Sequence, residues 1–117
     1  MPSRLLLKTV NLEAGMPVVR DALSSLDREL AAAKKEGWKL LKLIHGYGSS
    51  GVGGDLRMAI QKGLRELKND GQIHDCIFGE DWAASAQASW ELIKMYPKLK
   101  QDADLGRRNQ GITIVVI

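Results

Sequence analysis

The chain has a single cysteine, Cys76, so no intrachain disulfide can hold it together. A disulfide scaffold is excluded, and a reducing compartment is expected. Prolines number three, and aromatic residues make up only 5% of the chain. Long apolar runs are also missing. None approaches the ~20 residues that cross a bilayer. Leu5-Leu6-Leu7 is broken at once by Lys8, short of the roughly 7–15 apolar residues of a signal-peptide core. What is there is ordinary globular composition: 117 residues, 44% hydrophobic and 26% charged. One cytoplasmic domain spanning residues 1–117 is expected, with no membrane association.

The net charge is +3, and it is unevenly placed. Residues 34–68 carry eight basic residues against three acidic ones, a surplus of five, which leaves the rest of the chain with a deficit of two. A basic middle points to a polyanionic partner, although a solvated face gives the same pattern.

Hydrophobic periodicity orders the elements. Residues 4–12 read as a strand, and their near-continuous apolar character implies burial on both faces. A helix follows from Pro17 to Glu36, with Val19, Ala22, Leu23, Leu26, Leu30 and Ala33 on one face and Gly37 placed to cap it. Trp38 to Ile44 is a second buried strand, so the first two strands should run parallel. After a glycine-rich loop, a helix from Asp55 to Lys68 turns Leu56, Ile60, Leu64 and Leu67 inward. Ile73 to Phe78 is a third strand. A third helix from Asp81 to Tyr96 would place Trp82, Ala86, Trp90 and Ile93 on one face and end at Pro97. The two tryptophans would pack it onto the sheet, leaving Glu80 and Asp81 as charge at its N-terminus. Residues 97–111 are polar and irregular, and Ile112 to Ile117 is a last strand. The order β-α-β-α-β-α-β predicts a small two-layer α/β domain with a mixed, mainly parallel sheet.

The glycine-rich loop is the informative segment. Five of the nine residues from 46 to 54 are glycine: Gly46, Gly48, Gly51, Gly53 and Gly54. The loop leaves the C-terminal end of a buried strand and enters a helix N-terminus, where open α/β sheets bind ligands. Free backbone N–H groups and the helix dipole both favour an anion there, and phosphate is the natural guest. Gly46-Tyr47-Gly48-Ser49-Ser50-Gly51 fits G-x-G-x-x-G, but a strand and helix precede it and too little chain follows for a dinucleotide site. No lysine stands where a nucleotide-triphosphatase loop needs one. His45 adjoins the loop as a base or a phosphate contact. Tyr47 is placed to stack on a base or sugar. Arg57, Gln61, Arg65 and Lys68 follow at helical spacing, opposite the apolar stripe, as a face that can track a sugar-phosphate backbone. Other chemistry is thin: Cys76 has no evident activating base, and His45 and His74 make no zinc site.

The string His45-Gly46-Tyr47-Gly48-Ser49-Ser50-Gly51, with Gly53-Gly54-Asp55-Leu56-Arg57 after it, resembles the second signature of the Smr (small MutS-related) domain family. Gly111-Ile112-Thr113-Ile114-Val115-Val116-Ile117 resembles that family's last strand. The helix carrying Asp21-Ala22-Leu23 and Leu26 resembles its first helix. The resemblance covers residues 5–77 and 111–117, and 78–110 reads as a helical insertion. It implies the fold of the C-terminal domain of bacterial initiation factor three. It also implies nucleic-acid binding, DNA or RNA, centred on His45, Gly46, Tyr47, Gly48, Ser49, Ser50, Gly51, Gly53 and Gly54, with Arg57, Arg65 and Lys68 extending the site. No cofactor is expected for binding.

The family also contains nicking endonucleases. Its first signature, Leu-Asp-Leu-His-Gly, is here Val10-Asn11-Leu12-Glu13-Ala14-Gly15. Asn11 stands for the acid and Glu13 for the histidine. An endonuclease would then use His45 and Glu13 as catalytic acid/base groups, with a divalent metal admissible, although the Glu13 charge repels phosphate. A protein-interaction adaptor using 78–110 is the remaining alternative.

Overall fold

The computed structural model describes residues 5–15, 17–46 and 52–117. Seven regular elements follow in chain order: β1 (Leu7–Asn11), α1 (Val19–Glu36), β2 (Leu40–Ile44), α2 (Val52–Asn69), β3 (Asp75–Phe78), α3 (Gln87–Met95) and β4 (Ile112–Val116). Short 3-10 turns at Gly79–Asp81 and Pro97–Gln101 flank α3. Helix α1 buries Ala22, Leu26, Leu30 and Ala33, the expected stripe, and stops at Gly37. The Gly37 N–H closes the last turn on the Ala33 and Lys34 carbonyls.

The four strands form one sheet in the order β1-β2-β4-β3. β1 and β2 are parallel, in a register that pairs Val10 with Leu43. β2 runs antiparallel to β4, and β3 antiparallel to β4. The sheet is mixed, as expected. Three of its strands share a direction, yet only one neighbouring pair is parallel, because β4 inserts between β2 and β3. The last strand is β-branched and buried, and it takes the central slot where both faces are covered. This leaves β1 at an edge, with a half-buried pattern rather than burial on both faces.

Side chains alternate across the central strands. Leu41, Leu43 and Val115 face one way and pack with α1 and α2 residues Leu26, Leu30, Leu56, Ile60 and Leu64. Leu40, Ile112 and Ile114 face the other way and pack with Trp82, Leu92, Ile93 and Leu99. The two expected layers are therefore joined by a third, built from residues 79–110.

That third layer differs in detail from the expectation. The helix begins at Gln87, not Asp81, because Gly79–Asp81 forms a 3-10 turn that brings Trp82 into the core ahead of it. Trp82 is fully buried and Trp90 is 43% exposed, so one tryptophan rather than two packs this layer onto the sheet. Ser89, Leu92 and Ile93 supply the buried face of α3.

Beneath that layer lies a buried ion network. Lys42, in mid-β2, points into the third layer at 7% exposure. Its Nζ donates to Asp102 at 2.9 and 3.1 Å and pairs with Asp104 at 2.5 Å. The Trp82 indole N–H donates to Asp102 at 2.9 Å. The Asn109 amide donates to Asp104 at 2.9 Å, and its carbonyl oxygen accepts the Gly111 N–H at 2.8 Å. Burial pulls the Lys42 ammonium down, but the hydrogen bonds and charges of Asp104 and Asp102 outweigh it, and the net shift is upward. The Asn109 hydrogen bond, with Lys42 beside it, holds Asp104 below the usual carboxylate range.

Candidate functional site

Parallel pairing puts the C-terminal ends of β1 and β2 side by side, with the start of β4 antiparallel beside β2. Asn11 ends β1, and its side-chain oxygen accepts the N–H groups of Glu13 at 2.9 Å and Ala14 at 3.1 Å. This is an Asx turn. Asn11 stands in the position of the first signature's acid, and here its role is structural, because the turn fixes the course of the chain through Glu13.

His45 follows β2 directly. Its backbone N–H and that of Gly46 both donate to the Gly111 carbonyl, at 2.9 and 3.1 Å. The imidazole is wholly buried. Nδ1 lies 2.7 Å from the Gly46 carbonyl and Nε2 lies 2.9 Å from the Thr113 hydroxyl. A carbonyl only accepts, so Nδ1 carries the proton and the Thr113 hydroxyl donates to Nε2. Burial pushes His45 below its ordinary range. The Gly46 carbonyl opposes that, the Arg57 charge adds to it, and the Glu13 and Glu80 carboxylates oppose it. His45 is thus a neutral ring with both nitrogens engaged, bridging the end of β2 to β4.

Gly46 has φ +76°, the left-handed region, and a Cβ there would run into the Glu13 carboxylate. The structure therefore joins Glu13 to the His45–Gly46 turn, as the parallel strand ends imply. Tyr47, Gly48, Ser49, Ser50 and Gly51 lie outside the described residues.

Helix α2 starts at Val52, three residues earlier than the periodicity predicts, so Gly53 and Gly54 belong to its first turn rather than to the loop. The first four N–H groups of a helix have no intrahelical partner, which leaves those of residues 52–55 at this end of the sheet. Asp55 adds an acidic charge to the same turn.

The polar row on α2 is open only in part: Arg65 and Lys68 are exposed, Arg57 is half-buried and Gln61 is enclosed. Gln61 is buried, at 6% exposure. Arg57 Nη2 lies 3.8 Å from Glu80 Oε2. The Arg65 guanidinium sits 4.9 Å over the Phe78 ring, and Lys68 pairs with Asp75 at 3.0 Å. The row lies along β3 and the turn after it, and its cations are engaged there. With Lys42 enclosed in the core, much of the basic surplus of residues 34–68 is answered inside the fold. Glu80 is held in the 3-10 turn against Arg57 rather than at the N-terminus of α3.

Three buried side-chain atoms lack a hydrogen-bond partner among the described residues: Arg57 Nε, Gln61 Nε2 and Glu80 Oε1. Each such group costs about 1–3 kcal/mol. Arg57 and Glu80 meet where α2 faces the Gly79–Asp81 turn, with both charges felt at His45, and Gln61 lies one turn further along α2. Glu80 had no signal in the sequence beyond its charge. What makes it part of the site is the sheet order, which brings the end of β3 across from α2. No group of three or more metal-ligating side chains occurs among the described residues.

No family model matches the chain, and no curated protein matches it. Among solved structures, the chain is similar to the crystal structure of the Smr domain of Thermus thermophilus MutS2. The two are 25% identical, the match covers 93% of this chain and 95% of that one, and the TM-score is 0.56. The chain has an Smr-like fold, a small α/β domain with a mixed four-stranded sheet and three helices.

Proposed function

We propose that this Smr-like domain is a nucleic-acid-binding module. It takes a backbone phosphate at the end of the sheet where the His45–Gly46 turn, the N-terminus of α2 and Arg57 meet. The observation that carries the reading is the incompletely satisfied Arg57 guanidinium in the N-terminal part of α2, where the first helix N–H groups have no acceptor within the helix. His45 serves as the internal brace of the turn, and Gly53 and Gly54 keep the first turn of α2 free of side-chain bulk. Arg65 and Lys68 continue the basic line along α2. Either DNA or RNA satisfies this chemistry, because phosphate contacts position a duplex or strand without reading its bases.

The test is anisotropy of labelled single-stranded and duplex oligonucleotides across a salt series. Affinity should fall steeply with salt through counterion release. Arg57→Ala should weaken binding to all sequences and reduce the salt slope by about 1. Binding that is flat with salt would sink the proposal.

A second reading, a nicking endonuclease, is favoured by one observation: a neutral imidazole with the Glu13 carboxylate beside its turn. For His45 to accept a proton, Thr113 would have to release Nε2. Wild type and His45→Ala on supercoiled plasmid and structured RNA decide it, and equal cleavage by the two rejects His45 catalysis.

A further inference from the structure

Two of the ionic clusters among the described residues, one at Lys42 and one at Arg57, are unlike each other. Lys42 sits against Asp102 and Asp104 at 2.5–3.1 Å, and that network is closed by Trp82 and Asn109. Arg57 and Glu80 stand 3.8 Å apart, beyond the roughly 2.7–2.9 Å of a charge-assisted hydrogen bond. Arg57 Nε and Glu80 Oε1 are each buried with no partner among the described residues, and so is Gln61 Nε2 one turn further along α2. The first pair is built as structure. The second leaves hydrogen-bonding capacity unused on both sides. Glu80 rides on a three-residue turn with its side chain 34% exposed, so its carboxylate can swing to water.

We propose that Glu80 is a built-in competitor for the phosphate at Arg57: it holds the guanidinium in the free protein and is displaced when a nucleic-acid backbone binds. This rests on the nucleic-acid reading above and adds how that site is regulated. A phosphate oxygen pair can take Nε and Nη2 together, which the Glu80 carboxylate at 3.8 Å does not. The exchange makes binding selective. A ligand must offer more acceptor capacity than one carboxylate, so a polyphosphate backbone wins where a lone acidic side chain does not. Glu13, on the other flank of His45, adds a second negative charge that a weak anion must also overcome.

The experiment compares full-length wild type, Glu80→Gln, Arg57→Ala, the double variant, and Glu91→Gln. The last makes the same formal charge change on the exposed face of α3. Labelled single-stranded RNA and DNA of one sequence are titrated between about 25 and 250 mM salt. Glu80→Gln should bind about 5- to 10-fold more tightly and steepen the salt slope by about 0.7, whereas Glu91→Gln stays within about twofold of wild type. In the Arg57→Ala background the gain from Glu80→Gln should vanish. Should Glu80→Gln lose its far-UV spectrum, Glu80→Ala replaces it with the same expectation. If Glu80→Gln matches Glu91→Gln while wild type still depends on Arg57, the competitor role is overturned and the phosphate site stands. If binding ignores Arg57, or if neither wild type nor Glu80→Gln binds at the lowest salt, both fail. Wild type silent with Glu80→Gln binding supports both.

Discussion

Burial holds the His45 ring neutral, and this has a consequence for stability that can be signed. An unfolded histidine titrates near about 6.5. The folded ring titrates lower, so between the two values the unfolded chain binds more protons and stability rises with pH. His45 therefore contributes fully above about pH 6.5 and loses its contribution as pH falls below that, down to the folded value. Melting followed from pH 7 to pH 5 should show this loss, and His45→Asn should flatten it. A slope that persists in His45→Asn would assign it elsewhere. Gly79 is the second residue with a forced identity. A Cβ there would strike the Asn109 carbonyl and come within 2.8 Å of the Ile112 oxygen, both of them backbone atoms that cannot step aside. Gly79→Ala should cost about 2–4 kcal/mol in urea unfolding.

Among the elements, the third layer depends on Lys42 more than its length suggests. Lys42→Met would leave Asp102 and Asp104 buried against the sheet without their cation, a change that costs about 3–5 kcal/mol when one partner of a buried pair is removed. The pH window follows from the two shifts. Lys42 is raised, so its contribution is present below the unfolded lysine value of about 10.4 and is lost as pH climbs through the folded value. Asp104 is lowered, so its contribution is present above the unfolded aspartate value of about 3.9 and is lost as pH falls through the folded value. The destabilisation by Lys42→Met should therefore be largest across the neutral range and shrink toward pH 3. Chemical denaturation at both ends measures it. The same network reaches the end of the sheet that carries the candidate site. Asp104 holds Asn109, Asn109 holds Gly111, and the Gly111 carbonyl takes the His45 and Gly46 amides.

At the scale of the molecule, one sheet separates two cores, and its central strands β2 and β4 serve both. Removing either layer exposes the face it covers, so the two should melt together. Near-UV dichroism, weighted by buried Trp82, and far-UV dichroism, weighted by α1 and α2, should give coincident midpoints. Separate midpoints would mean that residues 79–110 unfold on their own. The net charge of +3 is modest, and much of the central basic surplus is neutralised inside the fold. Long-range attraction of a polyanion is accordingly weak, so the proposed binding would rest on local contacts at the α2 end.

The sequence by itself determined the strands, both long helices and the place of the loop between β2 and α2. Those follow from local periodicity and from Gly37, which acts within one turn of chain. It also made the His45–Gly46 turn and the β-branched last strand legible as Smr-like. It could not show that α3 is short, because Trp82 and Trp90 share helical spacing while only tertiary packing decides which one finds a cavity. Nor could it show that Lys42 and Glu80 matter. A lysine in a strand and a glutamate in a turn carry no periodic signal, and both gain their roles from partners far along the chain. The insertion of β4 between β2 and β3 decided those partners, since strand order is set by which face each layer can cover and not by any local propensity.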